Sequence, residues 1–351
     1  MSATDLLRNV ASKLTTPLLP DDYTRLLNPL WTARQNHGVI VEVRPETADA
    51  ATVVIKPGWG WRFDHQAGQY VGIGVQIDGR WHWRSYSLSS PPSRDAETIT
   101  VTVKAMPEGF LSTHLVRGLA PGTVVRLALP QGEFVLPSPP PAKLLFWTGG
   151  SGITPVMAML RQLARRDEMP DVAHVHSAPT RESVIFGSEL EALGEAHPSY
   201  SLLTNIGTES GLLDVERLTS TVPDWREREA WVCGPAPMLK SAERKWREAG
   251  LTERLHIERF STELSSSASG GQVTFGTLNT ADLDGATTLL EGGEAAGVNM
   301  PFGCRMGICH TCVVPLKKGL VKDLRDGHEY VEGQRIQTCV TAAAGDCILD
   351  I

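Results

Sequence analysis

Six cysteines lie along the 351-residue chain: Cys233, Cys304, Cys309, Cys312, Cys339 and Cys347. Cys304, Cys309 and Cys312 read C-x4-C-x2-C, and Cys339 follows after 26 intervening residues. Three thiolates on one irregular loop, with a fourth from a separate segment, are the ligand spacing of a 2Fe–2S cluster. Gly303 and Gly307 permit the tight backbone such a loop needs and let it approach inorganic sulfide. Structural zinc sites favour a repeated short C-x2-C, and the long arm to Cys339 departs from that. His310 lies inside the loop, but four thiolates already complete the site, so it reads as a surface or hydrogen-bonding residue. Cys347 belongs to an alternating terminal stretch, Cys347–Leu349–Ile351, and reads as a small buried hydrophobe. Clustered cysteines of this kind are not the framework of a secreted disulfide protein; they indicate a metal site in a reducing compartment.

Four further stretches carry chemistry. In Arg84-Ser85-Tyr86-Ser87-Leu88-Ser89, Arg84 offers a charged fork for phosphate, Tyr86 a face for a planar ring and Ser87 a hydroxyl for a ring nitrogen. Gly109-Phe110-Leu111-Ser112 opens a short helix, whose N-terminus with a small residue and a hydroxyl suits an anion. Gly149-Gly150-Ser151-Gly152-Ile153-Thr154-Pro155 sits between an apolar run and a helical pattern. Glycines there either let a pyrophosphate approach the helix N-terminus or simply make a tight strand-to-helix turn. Cys233-Gly234-Pro235 ends a later strand at the sheet edge where ligands bind in such folds. After the second strand of that region come Ser177 and Arg181. No acid ends the strand, and Arg181 can bond a 2′-phosphate, so NADPH is expected over NADH. The opposing reading makes Arg181 a solvated loop residue.

The elements that must position these residues fall into blocks. Residues 1–38 form an N-terminal arm. Leu6, Leu7, Val10 and Leu14 recur at helical spacing, and Pro17, Pro20 and Pro29 then interrupt. The arm either packs on the body or rests on a membrane surface, and its few basic residues favour packing. Residues 39–140 show short alternating segments between turns, the pattern of an antiparallel β-barrel. Residues 141–260 alternate apolar runs with helical patterns, the grammar of a doubly wound parallel α/β sheet. Residues 261–271, small and polar, read as a flexible linker. Residues 272–351 read as a compact α+β, β-grasp-like domain. The formal charge of −7 gives no basic surplus for nucleic acid. No apolar run is long enough to span a membrane, and no signal core precedes the first domain. The expected location is cytoplasmic, with peripheral membrane attachment as the variant that the arm would supply.

Taken in order, these motifs resemble the ferredoxin–NADP reductase superfamily over residues 38–260. RSYSLS resembles its flavin motif, GGSGITP its nucleotide motif and CGPAPM its motif at the nicotinamide ring. PFGCRMGICHTC…TC resembles the plant-type ferredoxins. The resemblance implies that Arg84, Tyr86 and Ser87 hold a flavin, Ser87 near its N5, and that Gly109 and Ser112 contact its phosphates. It implies FAD, with FMN as the alternative. It implies that Gly149, Gly150, Gly152 and Thr154 bind NAD(P)H, with Cys233, Gly234 and Pro235 beside the nicotinamide. The expected activity runs from NADPH through flavin and the 2Fe–2S cluster to an oxygen-activating enzyme. The stretch PLLPDDYTRLLNPLWTAR is similar to the N-terminal arm of actinobacterial reductases that serve acyl-CoA desaturases, which names the expected acceptor. A Rieske oxygenase, an alkane hydroxylase or a haem monooxygenase is the alternative acceptor. A redox carrier or sensor that no longer oxidises NAD(P)H is the alternative of another class.

Overall fold

The computed structural model describes residues 28, 30–31, 36–59, 61–77, 79–93, 96–106, 110–260, 268–303, 305, 307 and 310–351. The chain divides into two compact units, Met1–Arg259 and Phe260–Ile351. Most of the N-terminal arm, together with Gly109, Cys304 and Cys309, lies outside the described residues.

The first unit begins with an antiparallel sheet. Its strands are β1 (Asn36–Thr47), β2 (Ala50–Pro57), β3 (Tyr70–Ile77), β4 (Arg80–Ser87), β5 (Ile99–Lys104) and β6 (Val124–Leu127), in the order β4-β3-β6-β1-β2-β5. β1 starts at Asn36, so residues 36–38 belong to the sheet and not to the arm. A Leu88–Val101 bridge and the Ser89 N–H bond to Thr100 O (2.8 Å) join the two ends of the sheet and curl it into a barrel. Alternation puts Val71, Ile73 and Val75 inside with Ile40, Val53, Ile99 and Val101. Helix α1 (Phe110–Arg117) adds Leu111 and Leu115 to that core.

The same unit continues into a five-stranded parallel sheet of β7 (Lys143–Gly149), β8 (Asp171–Ala178), β9 (Tyr200–Ile206), β10 (Glu229–Cys233) and β11 (Leu255–Glu258). The order β11-β10-β7-β8-β9 turns back at β7. Helices α2 (Ile153–Arg166), α3 (Gly187–Ala196), α4 (Gly207–Ser210), α5 (Val215–Thr221) and α6 (Ala236–Glu248) connect the strands. β7 is apolar at successive positions because both faces are covered. Leu144 and Phe146 pack with α2 and α3, whereas Leu145 and Trp147 pack with α5 and α6. Barrel and parallel sheet share a core, since Ala50, Ala67 and Phe134 pack with α2. Arg161 of α2 reinforces the junction by donating to Ser89 O (2.7 Å) while its fork grips Glu189.

The second unit holds β12 (Gly271–Phe275), β13 (Asn279–Leu283), helix α7 (Leu289–Ala295), β14 (Val313–Lys318), β15 (Leu320–Asp323), β16 (Glu329–Val331), β17 (Arg335–Gln337), β18 (Thr341–Ala343) and β19 (Cys347–Leu349). A mixed sheet, β13-β12-β19-β14-β17, carries one parallel pair, β12 with β19, and a smaller sheet runs β16-β15-β18. A reciprocal Thr288–Glu291 cap starts α7. Its Leu289 and Leu290 then pack on Val273, Phe275 and Leu349. The end of the expected linker is part of this fold. Ala268 N–H bonds Gly285 O (2.8 Å), Gly270 N–H bonds Ala343 O (2.9 Å), and Gly271 opens β12. Small polar composition did not distinguish a free tether from a chain satisfied by backbone pairing. Residues 261–267 lie outside the described residues.

Candidate functional site

In an open parallel sheet the crevice for ligands lies at the carboxyl ends of the strands, where the strand order reverses. Here that is the end of β7 with its neighbours β8 and β10. β7 runs into Gly149, then into a 3-10 turn at Gly150–Gly152 and directly into α2. The glycines have distinct reasons. Gly150 adopts φ +54°, which favours glycine. Gly152 lies so close to the end of β10 that a Cβ would fall 2.1 Å from Cys233 O. A Cβ on Gly149 would fall 2.9 Å from Pro235 Cδ. The two motifs therefore form one surface. Thr154 is buried and its hydroxyl donates to Ser151 O (2.9 Å), so it closes the turn from within.

Cys233 is fully buried, and burial, followed by the nearby Glu258 carboxylate, pushes its thiol well above the usual range. It stands in register with Thr148 on one side and Glu258 on the other, and Thr148 in turn with His176. Burial raises the Glu258 carboxyl to about 7. Thr148 Oγ1 lies 2.9 Å from His174 Nε2 and 2.8 Å from His176 Nδ1, and His174 Nδ1 lies 2.7 Å from Tyr200 Oη. Burial lowers both imidazoles, His176 to about 4 and His174, beside it, well below the usual range. The polar row Glu258–Cys233–Thr148–His176 was missed in the sequence. Its members are scattered, and only strand register brings them together.

Two orphaned groups mark the neighbouring strand ends. Ser177 and Asn205 are register partners, and Ser177 Oγ and Asn205 Oδ1 are buried without a hydrogen-bond partner. Buried polar atoms left in this way are costly, and a polar ligand at this edge would relieve them. Arg181 lies on the loop beyond, paired with Glu209 at 2.6 and 2.7 Å. Its side chain is exposed, as the solvated-loop reading expects, and its guanidinium carries a carboxylate partner that neither reading included.

On the barrel, Arg84 is exposed and bonds Trp83 O (2.9 Å). Tyr86 is half-buried, its phenol pushed up by burial, and Ser87 is buried. Alternation along β4 puts Arg84 and Tyr86 on one face and Ser87 on the other, although Ser87 ends the strand, where direction can change. A ring, a cation and a hydroxyl within four residues suit a flavin's chemistry. Ser112 accepts from Met106 N–H (3.1 Å), closing the loop that precedes α1.

In the second unit Cys312 and Cys339 are buried with their sulfurs 3.3 Å apart, close enough to be two ligands of one tetrahedral iron. Gly307 N–H donates to Cys339 Sγ (3.3 Å), as a loop wrapped round a cluster would. Gly307 adopts φ +70°, and its carbonyl accepts from Arg325 Nη1 (3.0 Å) and Gln337 Nε2 (2.9 Å). Arg325 is itself paired with the buried Asp323. The residues present fit a 2Fe–2S group. His310 is exposed at φ +55°, and Cys347 is buried with its thiol raised to about 11 by burial.

Comparisons with known proteins agree with this arrangement. Residues 58–136 match the oxidoreductase FAD-binding domain, residues 146–244 the oxidoreductase NAD-binding domain, and residues 276–344 the 2Fe–2S iron–sulfur cluster binding domain. The chain is 58% identical over 349 residues to a Mycobacterium tuberculosis protein named NADPH oxidoreductase, covering 98% of this chain and 92% of that one. It is 30% identical over 306 residues to the ferredoxin reductase component of 3-ketosteroid-9-alpha-monooxygenase from Mycolicibacterium smegmatis, covering 80% and 86%. Its fold is similar to that of phthalate dioxygenase reductase, with a TM-score of 0.64 at 20% identity, covering 90% and 97%.

Proposed function

The chain belongs to the ferredoxin–NADP reductase family whose members carry a C-terminal 2Fe–2S domain, a flavin-dependent NAD(P)H oxidoreductase, and from that premise we propose that it draws electrons from NADPH and delivers them to an oxygen-activating enzyme. The observation that supports this best is the contact of Gly152 with Cys233, because it makes one floor of the nucleotide loop and the CGP turn. On that floor Gly149, Gly150 and Gly152 admit the pyrophosphate, while Cys233, Gly234 and Pro235 take the nicotinamide. Ser177 and Arg181 take the adenosine end. Arg84 and Tyr86 hold FAD, Ser87 stands near its N5, and Gly109 and Ser112 contact its phosphates. Cys304, Cys309, Cys312 and Cys339 hold the cluster.

The flavin, when bound, accepts a hydride as an electron pair and releases single electrons, which is what a 2Fe–2S cluster can take. The protein's own contribution is positioning. Cys233 stays a neutral thiol at the nicotinamide position. Glu258, beside it, gains negative charge as pH rises through about 7 and then favours the positive ring that remains when a nicotinamide gives up hydride.

For the acceptor we infer a membrane acyl-CoA desaturase, on the resemblance of the N-terminal arm. The monooxygenase relative supports the oxygenase alternative. Among the described residues no helix is long and apolar enough to cross a membrane. Reconstitution decides between them. Full-length protein with a membrane desaturase and NADPH should desaturate, and deletion of residues 1–35 should weaken that while sparing NADPH-to-ferricyanide activity. Turnover with a soluble oxygenase alone would overturn the desaturase assignment and leave the reductase reading standing.

A further inference from the structure

Arg181 and Glu209 stand on separate loops at the carboxyl edge of the parallel sheet, one after β8 and the other after β9. Arg181 opens a 3-10 turn, Arg181–Ser183, held by reciprocal Thr180–Ser183 bonds. Glu209 lies in α4, and Thr208 N–H donates to Pro179 O (3.1 Å), which ties the two loops by their backbones. Across that tie Arg181 Nε donates to Glu209 Oε1 (2.7 Å) and Nη2 to Oε2 (2.6 Å). Both side chains remain open to solvent, 72% and 45% exposed, so a ligand can reach them without unfolding either loop. At the ends of the same two strands are the orphaned Ser177 Oγ and Asn205 Oδ1.

We propose that Glu209 sets the balance between NADPH and NADH by competing for Arg181. This rests on the reading of Arg181 as the 2′-phosphate partner. Without nucleotide, Nε and Nη2 of the guanidinium are engaged by the carboxylate. To bond both terminal nitrogens, a 2′-phosphate must take Nη2 from Glu209 and then lie close to that negative charge, so part of the attraction is lost. A free ribose 2′-hydroxyl meets the opposite situation, because Glu209 can accept its hydrogen bond while Arg181 stays paired. Glu182 and Glu191 add to the negative field around Arg181, so removing one nearby charge leaves the site's acidity only partly reduced. Glu209 is thus a specificity residue that acts against Arg181.

The test measures kcat/KM for NADPH and NADH with ferricyanide, using the full-length holoprotein, Glu209→Gln, Arg181→Ala and the double variant. Glu209→Gln should raise the NADPH-to-NADH ratio by about tenfold, the equivalent of one decade in binding. It should also tighten inhibition by adenosine 2′,5′-bisphosphate without tightening that by ADP. In the Arg181→Ala background most of that gain should vanish. A ratio unchanged or lowered in Glu209→Gln, while Arg181→Ala still weakens NADPH, would overturn the competition and leave the phosphate reading intact. An Arg181→Ala variant with an unchanged ratio would remove the phosphate reading and this proposal with it.

Discussion

With the nicotinamide beside Cys233 as proposed, Glu258 should couple hydride transfer to pH. Its carboxyl, raised to about 7 by burial, is half ionised near neutrality, and its register partner is Cys233. NADPH-to-ferricyanide turnover should rise with pH through a midpoint near 7 as the carboxylate forms. Glu258→Gln should flatten that profile, measured as kcat with saturating nucleotide. A midpoint that persists in the variant would assign the titration elsewhere. At this scale the 2Fe–2S domain was legible, because a C-x4-C-x2-C…C spacing is a local pattern in the sequence. Glu258, Glu209 and the His174–Thr148–His176 network were not legible. Arg181 and Glu209 are 28 residues apart, as are Thr148 and His176; strand register brings the second pair together, and the neighbouring loops after β8 and β9 the first.

Among elements, the turn from β7 into α2 is the most constrained. Gly152→Ala would force a methyl into Cys233 O, with overpacking costs of about 1–3 kcal/mol. It should also pull the CGP turn from the nucleotide loop, lowering NADPH oxidation while leaving the bound flavin spectrum normal. The histidines of β8 add a second prediction, read from urea midpoints by fluorescence of the buried Trp147, Trp231 and Trp246. His176 falls from 6.5 to about 4 on folding, so the unfolded chain binds the proton first. Stability from this group is present above pH 6.5 and is lost as pH falls toward 4. His176→Asn, which can keep the bond to Thr148, should reduce that acid loss, and an unchanged acid limb would contradict it. Glu258 acts with opposite sign, since its stability is present below 4.5 and is lost as pH rises through about 7. The elements themselves were readable from period: β3 and β5 follow plain alternation, and β7 is a plain apolar run. The start of β12 was not, because a strand of Gly271 and Gln272 held by backbone bonds carries no apolar pattern.

For the whole molecule, the central claim is an electron path from NADPH through flavin to the 2Fe–2S cluster. Domain order made that path legible, since nucleotide, flavin and cluster motifs each occupy their own block of sequence. The acceptor was expected only from the resemblance of the N-terminal arm, because a docking surface need leave no local pattern. The most direct measurement is anaerobic mixing with NADPH, freeze-quenched for electron paramagnetic resonance, on the holoprotein and on Cys339→Ser. In the unmodified protein the flavin should bleach and the signal of a reduced 2Fe–2S cluster should then grow, with brisk cytochrome c reduction. Cys339→Ser should keep flavin and NADPH-to-ferricyanide turnover but lose the signal and most cytochrome c reduction. A normal cluster signal in Cys339→Ser, or flavin reduction in the unmodified protein that never reaches a cluster, would contradict the account.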